Sequence, residues 1–196
     1  MARTRSNRRL DRPREQVLAA TLEMIAEQGL GKVTMASLAA RLETSGGHLL
    51  YYFGTRNGLL LETLRWSESQ YAEQRAPLVV RATEGAADPA SVLEFAGVFL
   101  PVDERDPRWL LWLELWARAP YDAELAAAQR ELDDQWHDDL VVVLRAGLPG
   151  VTDPEGLSQR LRAMWDGFAI AIVNGGGIAQ REAAIGHTRA ALDPVT

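Results

Sequence analysis

Between Thr34 and Phe53 the chain gathers groups suited to holding an anion and reading a polar edge. Thr34 and Ser45 each precede a short apolar-periodic stretch, where a hydroxyl caps a helix and the following backbone N–H groups can meet phosphate oxygens. Tyr51 and Tyr52 can donate to phosphates or lie against sugars and thymine methyls, and His48 can reach a base edge in a major groove. Gly46 and Gly47 lie just before His48. They either let backbone approach a partner closely or mark a tolerant surface, at about 1 kcal/mol each against alanine.

A second set of residues is aromatic. Trp109, Trp112 and Trp116 recur at spacings of three and four, so they share one helix face. With Phe95, Phe99 and Trp136 they form either the wall of a pocket for an apolar or aromatic effector or ordinary core. Glu114 and Asp166 are the acids most embedded in apolar surroundings, placed to fix a cationic or hydroxylated ligand or to stand as satisfied surface carboxylates.

Catalytic arrangements are weaker. Asp134, His137 and Asp138 share a helical face with a spacing that could hold a divalent metal, but nothing apolar flanks a closed site and a solvated acidic face explains them better. Gly175-Gly176-Gly177 lacks the preceding strand and spacing of a nucleotide loop. Ser91 and Ser158 have no visible paired base. No catalytic residue, metal site or cofactor is assigned.

These residues need helices to position them. Val17, Leu18, Thr21, Leu22, Met24 and Ile25 recur at helical steps before Gly29. Thr34 opens a helix carrying Leu38 and Leu42, and Ser45 opens another carrying Leu49 and Phe53, joined by the tight turn Glu43-Thr44. That is a helix-turn-helix, with Met35, Leu38, Leu42, Leu49 and Phe53 facing inward. Thr55 caps a helix through Trp66 that Pro77 should kink or end. Further helices are predicted over 89–100, 108–119, 122–146, 154–173 and 179–191, opened by Asp88-Pro89 and Asp153-Pro154 and broken by the glycines at 175–177. The expected fold is all-α.

The chain has 196 residues, 47% hydrophobic and 24% charged, with no cysteine. That composition excludes wholesale disorder, disulfide scaffolds, cysteine–zinc sites and thiol catalysis. No run is long enough to cross a membrane, and the basic N-terminus has no apolar stretch of a signal peptide behind it, so a cytoplasmic protein is expected. The net charge of −6 divides unevenly. Residues 1–56 hold nine basic and five acidic groups, +4, whereas residues 57–196 hold twelve and twenty-two, −10. Phosphate attraction is local, so a basic head on an acidic body remains compatible with nucleic acid.

Residues 14–66 resemble the DNA-binding domain of the TetR family of repressors. The resemblance rests on Glu27-Gln28-Gly29, Thr34, Ser45, Leu50-Tyr51-Tyr52-Phe53 and Thr55-Arg56. It implies that Thr34, Ser45, Tyr51 and Arg56 hold phosphates while Gly46, Gly47 and His48 face bases. Three departures stand out: Glu43 at a turn position often glycine, Gly46 where a longer polar residue is usual, and Leu50 in place of a tyrosine. Residues 112–117 are similar, more loosely, to a stretch in the subgroup of the choline-responsive regulator. The resemblance further implies a basic arm over 1–13 (able to enter a minor groove, or merely solubilising), a DNA-binding domain over 14–66, and an effector-binding and dimerisation domain over 67–196. Leu161, Trp165, Phe168 and Ile172 form an apolar stripe expected at a homodimer interface. The expected function is a repressor of a palindromic operator released by a small-molecule effector; a helical ligand-binding protein without specific DNA binding is the alternative.

Overall fold

A computed structural model describes residues 14–193, and the basic arm expected over 1–13 lies outside the described residues. Every regular element among the described residues is helical. The chain divides into two compact units after Trp66.

The first unit contains α1 (Arg14–Gln28), a 3-10 turn (Leu30–Lys32), α2 (Met35–Arg41), α3 (Gly46–Phe53) and the start of α4 (Arg56–Thr83). Val17, Met24 and Ile25 from α1 meet Leu38, Leu49, Phe53, Leu59 and Leu64 in one buried core. Each fully buried Leu or Ile contributes about 1.5–3 kcal/mol by removal from water. Polar ties reinforce the packing: Arg41 on α2 reaches Glu27 and Glu23 on α1 at 2.7 and 2.9 Å, and its hydrogen bond holds the Glu27 carboxyl below its usual range. Thr34 and Ser37 form a reciprocal capping box at the start of α2, while the Ser45 hydroxyl accepts the His48 N–H at the start of α3. Gly54 closes α3 with φ 68°, a left-handed conformation for which glycine carries no Cβ penalty.

The second unit holds the rest of α4 with α5 (Pro89–Phe99), α6 (Pro107–Arg118), α7 (Ala123–Gly147), α8 (Pro154–Ala171) and α9 (Gly177–Leu192). Asp88, Asp106, Asp122 and Asp153 cap the four helices from α5 to α8, each accepting backbone N–H bonds in the first turn. A short π-turn, Ile172–Gly176, joins α8 to α9, with Gly175 at φ 101°.

α4 does not end at Pro77, one of the two outcomes expected there. The helix runs on to Thr83, because Arg75, Leu78 and Ala82 are buried on the same face. Pro77 is itself exposed, so water can satisfy the carbonyl it leaves unbonded.

Candidate nucleic-acid interface and effector site

The outer surface of the helix-turn-helix is built as its caps and turn dictate. α3 buries Leu49 and Phe53 and leaves Tyr51 81% exposed. His48 and Tyr52 have ring centroids 5.2 Å apart, and Tyr52 meets Tyr51 edge-on at 5.1 Å, so the three rings make one aromatic edge. His48 Nδ1 also lies 3.4 Å from the Thr44 hydroxyl. The turn before α3 is strained in the way the missing glycine predicts: Glu43 sits at φ 51°.

The glycine pair opening α3 is not demanded by the fold. A Cβ at Gly47 would meet nothing within 4 Å, and one at Gly46 would make only ordinary contact, 3.8 Å, with the Met35 carbonyl. Neither takes a positive φ. The two positions therefore present bare helix-start backbone to whatever lies outside the head, and the first N–H groups of a helix have no carbonyl in their own helix to bond.

Arg56 makes two contacts inside the head. Its Nε donates to the Val33 carbonyl at 2.7 Å and a terminal nitrogen donates to the Leu30 carbonyl at 2.9 Å. The guanidinium thus ties the start of α4 to the 3-10 turn. The Thr34 and Ser45 hydroxyl oxygens accept capping bonds, which leaves the Ser45 O–H able to donate to a partner beside the backbone N–H groups of the helix start.

In the second unit the aromatic residues converge on a carboxylate that the sequence reading missed. Glu68 on α4 is only 3% exposed. It accepts the indole N–H of Trp112 at 2.7 Å and that of Trp136 at 2.8 Å. Arg108, also buried, lies 3.7 Å from Glu68 and 3.9 Å above the Tyr71 ring. Arg75 covers the face of Trp136 at 3.9 Å and donates to Asp139. Glu68, Tyr71, Arg75 and Leu78 follow one another on α4 at steps of three and four. That spacing was the available signal, hidden because most of its members are polar or ionic.

Phe99, Trp109, Trp112, Trp116 and Trp136 close around about 10 Å³, room for a single water. Trp116, Asp133 and Asp166 form part of this wall and also line an adjoining cleft of about 570 Å³, bordered by Pro120, Gln129, Arg130 and Arg162. Phe95 lines neither space; it packs in the core against Trp136 and Trp165. Arg162 pairs with Asp133 at 3.0 Å. Burial outweighs the attraction of Arg162 at Asp166 and pushes its carboxyl up to about 7, with Asp133 adding repulsion. Asp133 is raised for the same leading reason. Glu114 instead pairs with Arg118 on its own helix.

The stripe expected at a dimer interface points elsewhere. Leu161, Trp165 and Ile172 are buried inside the protomer, and the Trp165 N–H donates to Thr188 of α9 at 2.8 Å. Phe168 is half-buried and stacks on His187. The broad stripe is broad because α5, α7 and α9 all pack near α8. Its exposed side carries Ala163, Gly167 and Ile170. Ser158 does meet a base, His137 Nδ1 at 2.9 Å, but its side chain is fully buried.

A helix-turn-helix head with an exposed aromatic edge, followed by a helical body with an aromatic and acidic interior, defines a DNA-binding transcriptional regulator. The sequence relationships specify which kind. Residues 17–63 match the family described as bacterial regulatory proteins of the tetR family, and residues 90–195 match the BetI-type transcriptional repressor C-terminal domain. The chain is 31% identical over 180 residues to the HTH-type transcriptional regulator BetI of Burkholderia cenocepacia, covering 88% of each. It is 28% identical to BetI of an Escherichia coli strain, covering 78% of this chain and 80% of the relative. The chain belongs to the TetR family, with a BetI-type C-terminal domain. Among similar solved structures, a regulator from Saccharomonospora viridis described in complex with choline has TM-score 0.77 at 22% identity, covering 91% of this chain and 94% of that one. A TetR regulator from Haloarcula marismortui has TM-score 0.79 at 21% identity, covering 92% and 96%. At these identities the likeness is one of fold. No helix among the described residues is long and apolar enough to cross a membrane.

Proposed function

We propose that this chain is a cytoplasmic repressor that binds a palindromic operator as a homodimer and leaves it when a small organic cation enters the second unit. The observation that carries the DNA reading is the outer surface of α3, with bare backbone at Gly46 and Gly47 beside the aromatic edge of half-buried His48 and Tyr52 and exposed Tyr51. In this reading backbone N–H groups after Thr34 and Ser45 hold phosphates, Tyr51 adds a phosphate or sugar contact, and Gly46, Gly47, His48 and Tyr52 meet the major groove. Arg56 acts through the fold, by fixing the turn that precedes α2.

Dimerisation, typical of the family, would use the outward sides of α8 and α9. Ala163, Gly167 and Ile170 on α8 and Ala179 and Gly186 on α9 are exposed and small or apolar, a surface that lets helices approach closely. Two symmetry-related α3 helices then read two half-sites about one helical turn apart.

The effector class rests on the body's interior. Trp116 lines an open cleft beside Asp133 and Asp166, which share the nearby Arg162, while Trp112 and Trp136 stand behind it with their indole N–H groups given to Glu68. An aromatic face and an uncompensated carboxylate together favour an organic cation. The Saccharomonospora viridis regulator is described with such a ligand, choline. The effector acts by population shift, preferring a conformation in which the paired recognition helices no longer match the operator.

Selection of duplexes by the full-length protein from a random-sequence pool tests the reading. Enrichment of one inverted repeat is expected. Retention of all sequences alike, or of none, would favour a ligand-binding protein without specific DNA recognition.

A further inference from the structure

We infer that the Asp133–Arg162–Asp166 group is a proton–cation exchanger: a monovalent organic cation enters the cleft only as one proton leaves. The inference rests on the cation reading above and specifies how that site is regulated.

Two carboxylates and one guanidinium stand at the wall shared by the closed aromatic space and the open cleft. Arg162 and Asp166 lie on α8, one turn apart; Asp133 faces them from α7. Arg162 donates to Asp133 at 3.0 Å, and its attraction at Asp166 is outweighed by burial of that carboxyl. The other charged groups around the pair do not change this balance. On α7, Asp134 adds repulsion at Asp133, and Gln129 donates to it. Arg130 on α7 borders the cleft but is exposed to solvent. Glu68 on α4 is another acid, which also repels Asp133. Arg108 on α6 lines the closed space, where its guanidinium donates to the Phe99 carbonyl and lies over the Tyr71 ring beside Glu68.

With the cleft empty, neutrality is best reached by a proton on Asp166, and burial favours that state. A cation resting on the Trp116 face beside Asp166 supplies the same positive charge. The two compete for one negative charge, because Asp133 is paired with Arg162 and Asp166 balances either the proton or the cation. The proton passes from the Asp166 carboxyl to solvent through the open side of the cleft. Acidification therefore competes with the effector, and at a fixed effector concentration it favours the operator-bound repressor.

The experiment is a titration of the full-length protein with choline chloride and with tetramethylammonium chloride from pH 5.5 to 8.5 at constant ionic strength, read by tryptophan fluorescence. The expected affinity rises about tenfold per pH unit below 7 and levels off above it. Calorimetry of the unaltered protein at pH 6 in two buffers of different ionisation enthalpy should read about one proton released per cation bound. Asp166→Asn should bind more weakly, with the pH dependence gone. Binding that is independent of pH, or calorimetry showing no proton release, would overturn the exchange while leaving the cation reading intact. Absence of binding by either cation at any pH would overturn both.

Discussion

Trp136 on α7 donates its indole N–H to Glu68 on α4 at 2.8 Å, and the two residues stand 68 positions apart in the chain. Trp112 on α6 completes the arrangement at 2.7 Å, so one buried carboxylate joins three helices. A carboxylate this deep is tolerated only because its lone pairs are occupied and a guanidinium lies near.

Trp136→Phe keeps the ring and removes the donor. Loss of one hydrogen bond to a buried charge costs about 1.5–3 kcal/mol, which for a chain of this size lowers the melting temperature by about 2–4 °C per kcal/mol. Thermal denaturation checks it, and an unchanged midpoint would remove Glu68 from the forces holding the second unit.

Asp166 should make stability depend on pH in a direction opposite to that of a salt-bridged acid. Its folded carboxyl titrates at about 7 against an ordinary 3.8. Between those values the unfolded chain has already released a proton that the folded chain keeps, so stability falls as pH rises through the window. Asp166→Asn cannot ionise, and its advantage over the unaltered chain should grow from pH 5 to pH 8 in urea denaturation. A constant difference would contradict the assignment.

Gly46→Ala and Gly47→Ala separate the demands of the fold from those of DNA. Both positions have room for a Cβ, and alanine is the better helix former by up to about 1 kcal/mol. Each variant should melt at the same or a higher temperature yet bind the selected operator at least about tenfold more weakly, a loss on the scale of one mismatched base pair. Unchanged operator affinity would make the pair a tolerant surface.

Glu43→Gly should stabilise the head. A side chain at φ 51° carries a left-handed penalty of about 1–2 kcal/mol, partly offset by the greater freedom glycine gives the unfolded chain. A net gain of up to about 1 kcal/mol is expected from denaturant titration, and a lower midpoint would contradict it.

Much of the head was legible in the sequence because its signals are local. Thr34, Ser45, Gly54 and the Leu38–Leu49–Phe53 face each act within a few residues, and even the conformation of Glu43 follows from what its turn requires. The body was less legible because its decisive contacts are distant. The tryptophan face of α6 was visible by periodicity, but Glu68, which accepts from Trp112 and Trp136, lies 44 and 68 positions upstream of them. The α8 stripe looked like an interface because periodicity shows that a face is apolar without showing whether its partner is α5, α7 and α9 or a second copy. Arg56 shows a related ambiguity: a cation at a helix start suits a phosphate and a pair of backbone carbonyls equally.

The central claim, a repressor released by a cation held in the second unit, is tested most directly by fluorescence anisotropy of a labelled selected operator bound to the full-length protein and titrated with choline at pH 8. The account predicts saturable release by choline, with Asp166→Asn requiring more of it. Anisotropy that stays at its bound value, under conditions where tryptophan fluorescence reports choline occupying the protein, would contradict it.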